Sequence, residues 1–207
     1  MRTAPRDEGR NRKILYAIGA SGFVMLAAVA GFLFLAGRDD DETSNAIAVI
    51  RDAGWTYRHP KDQGRDHVVE LEEGFKYNSV PATSGQHSGQ TVIYGIYDDP
   101  VSEINYVHNL EHGAVAIQYG ERVPEATVAR LQEYYREDPN GLIVAPHPRL
   151  NDEIALTAWT HLAKGKRFDE EVLDTFIEEF GFAGPESCKT ALQQACFRRS
   201  DMAPGNG

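Results

Sequence analysis

The chain has 207 residues, with 31 acidic side chains against 21 basic ones and a formal net charge of −10. That length suits one ordinary domain plus an additional segment. The surplus of negative charge excludes a nucleic-acid partner, because phosphates repel an acidic surface.

The additional segment comes first. Ile14 to Ala36 is an uncharged run of 23 residues. As a helix it would be about 34 Å long at 1.5 Å per residue, which suits a bilayer core of roughly 30 Å. Arg2, Arg6, Arg10, Arg12 and Lys13 precede it, opposed only by Asp7 and Glu8. The positive-inside rule then assigns residues 1–13 to the cytoplasm, 14–36 to a single transmembrane anchor and the rest to the extracytoplasmic side of the cell membrane. A cleaved signal peptide is the competing reading. Its apolar stretch is usually only about 7 to 15 residues and ends at small residues, whereas this one ends in Phe32-Leu33-Phe34-Leu35. Residues 1–38 carry six basic and two acidic groups, net +4, which leaves −14 for residues 39–207.

Residues 37–53 read as a stalk, with the acidic run Asp39 to Glu42 and a short helix at Ala46 to Arg51. The external domain is expected over 54–207. Gly54 to Arg65 is rich in turn formers, and Val68 to Leu71 suggests a strand. Ser79 to Gly89 is a loop of small polar residues, glycine and proline, of the kind that is held in place for a purpose. Thr91 to Tyr97 (TVIYGIY) has the β-branched and aromatic content of a strand. Ser102 is placed to cap a helix ending at Glu111 or His112, with Gly113 as its stop. Ala114 to Tyr119 reads as a strand. Pro124 opens a helix with Val128, Leu131 and Tyr135 on its apolar face. Leu142 to Ala145 and Ile154 to Thr160 are further strands. Asp169 caps a last helix, whose Val172, Leu173, Phe176, Ile177 and Phe180 share one face. The fold class is therefore α+β, a single compact external domain of short strands and helices behind one N-terminal transmembrane helix.

Cys188 and Cys196 lie in a C-terminal segment, 181–207. An oxidising compartment favours a disulfide between them; a two-thiolate metal site is the alternative and would need reduced thiols and further ligands.

The densest chemistry is HNLEHG, His108 to Gly113. On a helix, His108 and His112 lie one turn apart on one face and can reach the same metal ion. Such an ion normally wants a third protein ligand. His87 is the best placed, on the small-residue loop ahead of the helix, and Glu111 is a fourth ligand or an orienting partner. His147 and His161 are weaker candidates, and His59 and His67 weaker still. Three imidazoles suit copper or zinc, and Met1, Met25 and Met202 all lie away from the histidines in sequence. H-x-x-E-H is also a metallopeptidase signature, which requires a distant carboxylate such as Glu178 or Glu179. The helix is expected to end at Gly113, immediately after the second histidine, and the domain is too small for that enzyme. Ser84 and Ser88 flank His87 without forming a nucleophile elbow. No catalytic residue is assigned. A third possibility is a non-metal structural or interaction module, associated with a membrane partner, in which the histidines only brace a loop.

Four pieces, PATSGQH (Pro81–His87), YGIYDDP (Tyr94–Pro100), VHNLEHGAVAIQY (Val107–Tyr119) and LTAWTH (Leu156–His161), resemble in this order the bacterial family called domain of unknown function 3105. The resemblance covers roughly 78–180. It implies a single-span, membrane-anchored protein with one external domain, and it matches His87, His108, Glu111 and His112 to positions of the family motif. Ala82 stands where a second proline is expected, and Gln86-His87 where Pro-His is usual. The resemblance implies no activity.

Overall fold

Apart from the β-hairpin formed by residues 154–165, the short β-rich runs in this chain find their partners far away in sequence. The computed structural model describes residues 43–188 and 197–205. The expected membrane span and Cys196 lie outside them. Among the described residues no helix is long and apolar enough to cross a membrane, and no cysteine is free.

A first helix, α1, occupies residues 43–52. There follow β1 (Thr56–Arg58), β2 (Gly95–Ile96), α2 (Glu103–Glu111), β3 (Val115–Tyr119), α3 (Glu125–Glu137), β4 (Leu142–Pro146), β5 (Ile154–Ala158), β6 (His161–Gly165) and α4 (Glu170–Phe180). A short 3-10 turn, Arg199–Met202, comes near the end. The strands form one sheet in the order β1-β6-β5-β3-β4-β2. β3 pairs with β4, and β4 with β2, in parallel; the other pairs are antiparallel. This is an α+β arrangement, as the mixture of short elements implied.

Alternation along the strands sends side chains to both faces, and both are covered. Val115, Ile117, Val144, Leu156 and Ala163 face α3 and α4, meeting Leu131, Tyr135, Val172, Leu173, Phe176 and Phe180. Ala116, Ile143 and Ala145 face the other way, onto Tyr106, Val107 and Leu110 of α2. α4 forms as its pattern predicts, with the Asp169 carboxylate accepting from Val172 N. Ser102 stands at the start of α2 but makes no side-chain cap.

Several expectations are corrected. Thr91–Tyr97 is a strand only at Gly95–Ile96, because the Asn109 amide takes both the N–H and the C=O of Val92 at 2.8 Å. Val68–Leu71 forms no strand; Val69 is fully exposed, and only His67 makes an isolated bridge, to His87. Ile154–Thr160 stops at Ala158 because the chain turns at Trp159 and Thr160, where φ is 62°. It then returns as β6, a strand the sequence reading missed together with β1. The compact unit begins at Ala46, and Ile50 is wholly buried in its core.

Phe176 is fully buried between α4 and the sheet. Phe176→Ala is expected to destabilise the protein by about 3–5 kcal/mol, from lost transfer energy and an unfilled cavity, read as a lowered urea midpoint at unchanged slope.

Candidate metal centre

α2 has one apolar side and one that carries chemistry. Tyr106, Val107 and Leu110 bury the helix against the sheet. The same helical period sets His108 and His112 edge to face with ring centroids 4.4 Å apart. Gly113 stops the helix at φ +103°, and a side chain there would collide with Ser187 Oγ and the Phe182 backbone.

Two irregular segments lie against this helix. The loop over 79–89 is tied down by its backbone, with Tyr106 Oη donating to Ala82 O at 2.8 Å and Ser88 N to Ile104 O at 2.7 Å. The earlier segment runs beside that loop, with Val68 N donating to His87 O at 2.8 Å and His87 N to Asp66 O at 3.1 Å. Gly85 sits at φ +120°, where a Cβ would lie 2.8 Å from the Phe75 ring. This backbone delivers two imidazoles, His67 and His87, to the side of α2.

Glu111 is the meeting point. Its Oε2 lies 3.0 Å from His87 Nε2 and 3.4 Å from His67 Nε2, while Arg65 Nε stands 3.7 Å from Oε1. His87 Nδ1 donates to the Gly85 carbonyl at 2.8 Å. That bond places a proton on Nδ1 and directs Nε2 at the carboxylate. His108 is buried alongside, and its Nδ1 has no hydrogen-bond partner. One donor atom each from His67, His87, His108 and Glu111 lies within 4.8 Å of the others. A second set, His108, His112 and Glu186, meets the same condition. His112 Nε2 is 3.5 Å from Glu186 Oε2, and its ring stacks on Phe197 at 3.4 Å.

The electrostatics suit a cation. Burial pushes the His87 pKa down, but the Glu111 hydrogen bond and the Gly85 carbonyl outweigh it and the net direction is upward. Burial pushes Glu111 up, and the His87 bond and charge reverse this to a net depression. His108 is lowered by burial and by the charges of His87 and His67. His112 is pushed down to about 4 by burial, then by His108. His108 and His112 are thus neutral near pH 7, with lone pairs free to coordinate.

The structure brings His87, His108 and Glu111 together directly. His112 falls in a different set from His87, and His108 is the residue common to both. His67 was ranked low from sequence and Glu186 was not considered; each arrives through backbone pairing that spacing does not encode. His147 instead faces Glu103, with Nε2 3.4 Å from Oε1. Ser84 Oγ accepts from Gln63 N and Ser88 Oγ from Gln90 N, both at 3.1 Å. Glu178 and Glu179, the carboxylates named for the peptidase reading, lie on α4, across the sheet from α2; the downstream carboxylate that reaches His108 and His112 is Glu186.

The remaining histidines make their own cluster. His161 Nδ1 is 2.7 Å from Tyr57 Oη, and its ring stacks on His59 at 4.6 Å and Phe180 at 4.3 Å. Burial, with the His59 charge, pushes the His161 pKa down to about 4. The unfolded chain titrates near 6.5 and binds the extra proton first. Stability is therefore full above about pH 6.5 and is lost as pH falls toward 4. His161→Phe, which keeps the stacking, is expected to reduce the pH dependence of the thermal midpoint across that window, leaving the part due to His112.

The sequence pattern of the family described as "Protein of unknown function (DUF3105)" matches residues 68–192. That span holds His87, His108, Glu111, His112 and Glu186, with His67 just before it. No curated protein and no solved structure matches the chain.

Proposed function

The chain belongs to the DUF3105 family, and we propose that it binds one transition-metal ion, copper or zinc, through His67, His87, His108 and Glu111. The observation that carries this reading is the convergence of donor atoms from His67, His87, His108 and Glu111 within 4.8 Å of one another, where His108 also keeps a buried Nδ1 that no hydrogen bond satisfies. Buried polar atoms are seldom left unpaired without a reason. The donor chemistry also fits. Three imidazoles and a carboxylate suit zinc or copper(II), and ligand type does not separate the two. His87 has its outer nitrogen fixed on the Gly85 carbonyl, the support that ligating histidines ordinarily receive. The Nε2 to Oε2 contact needs a proton between the two atoms, and an ion would replace that proton on binding. Donors within 4.8 Å of one another must draw in somewhat to reach bonds of about 2.0–2.2 Å. The His67 side chain, half exposed, can supply that movement while its backbone stays paired to the 79–89 loop.

In this reading the domain is extracytoplasmic, anchored by residues 14–36, with a Cys188–Cys196 disulfide. It handles or delivers its metal beside a membrane partner. The apolar span and its flanking charges support the topology. A bracing role without metal is favoured by one observation, the His87–Glu111 hydrogen bond, which already joins the loop to α2.

Elemental analysis separates the two. The full chain, repleted with zinc or copper(II) and dialysed, is expected to retain about one ion per molecule by this donor set, and the His87→Ala and Glu111→Gln variants to retain none. Free metal at a hundredfold excess over Kd should stabilise only the wild type, by about 2.7 kcal/mol. An ion-free wild type after repletion, or folded variants that keep the ion, leaves only the bracing role.

A further inference from the structure

The two donor sets share His108 but differ in their surroundings. In the inner set, the side chains of His87 and Glu111 are 0% and 2% exposed. The outer set, His108, His112 and Glu186, borders an open cavity of about 980 Å³ that Gln90, Tyr94, Phe197 and Asp201 also line. Glu186 is 40% exposed at its side chain, so its carboxylate is available to an ion arriving from solvent.

Resting on the metal-binding reading, we propose that His108, His112 and Glu186 form a second position for the same ion, a transfer station through which it passes between the inner set and the cavity. The shared His108 allows one ligand to be held while the others exchange. The ion therefore never has to be released bare into a buried space, where an unpaired charge is costly.

The outer set is built rather than incidental. Glu186 N donates to the Glu111 carbonyl at 3.0 Å, and Ser187 Oγ donates to the His112 carbonyl at 2.7 Å. These bonds fix the C-terminal segment to the end of α2. Phe197 holds the His112 ring by stacking.

A rival route exists on the opposite side, where His67 is half exposed. The Arg65 guanidinium stands there beside Glu111 and repels an approaching cation. On the cavity side the half-exposed Glu186 carboxylate supplies negative charge, which draws a cation in. Charge thus selects the cavity as the door.

The test uses the full chain with zinc as probe, measuring loading by stopped flow and extraction by a chelator. Glu186→Gln and His112→Phe, which keep size and stacking, are expected to slow both directions by about tenfold, a barrier rise of about 1.4 kcal/mol, with Kd within about twofold. His67→Ala, as an inner ligand, should instead weaken Kd. Unchanged rates in the two outer variants, a comparable loss of affinity in them, or two ions bound per wild-type molecule would each overturn the transfer station. A wild type that takes up no zinc fails at the first measurement and removes the underlying reading as well.

Discussion

A carboxylate buried to 2% exposure, Glu111, is the constraint around which this domain is arranged. Taking such a charge out of water costs several kcal/mol unless it is paired. Here the pairing comes from His87, His67 and Arg65, none of them on the same element as Glu111. Satisfying this one group therefore fixes two irregular segments against α2. Its main-chain carbonyl fixes a third, by accepting from Glu186 N.

The sheet makes that arrangement rigid. α2 is held by Tyr106, Val107 and Leu110 against Ala116, Ile143 and Ala145, the two alanines letting the helix approach closely. α3 and α4 cover the opposite face. The histidines and Glu111 on one face thus sit on a platform stabilised from the other. The polar face of α2 can then hold a histidine nitrogen without a partner, at a cost the apolar packing offsets.

How far the primary structure announced this differs by element. α4 was plain, because five apolar residues share a face and Asp169 caps it; both are local properties. α2 was plain for similar reasons, and so was the His108–His112 pair, since one helical turn sets their spacing. β2 was overstated because strand composition does not reveal that an amide from another element, Asn109, takes the Val92 backbone groups. β1 and β6 were overlooked because three- and five-residue strands bearing Arg58 and Lys164 carry little alternation, and pairing between them creates the signal.

Sequence alone determined the residue chemistry: an α+β domain of modest size, an acidic exterior, and a histidine-and-glutamate helix preceded by a histidine on a small-residue loop. These are matters of composition and of contacts within one or two turns, which local spacing encodes. Only tertiary structure decided the grouping. It placed His67 beside Glu111, assigned His112 to Glu186 rather than to His87, and sent His147 and His161 to other partners. Those outcomes depend on which distant backbones pair, and such pairings are chosen by the whole core rather than by any stretch of residues.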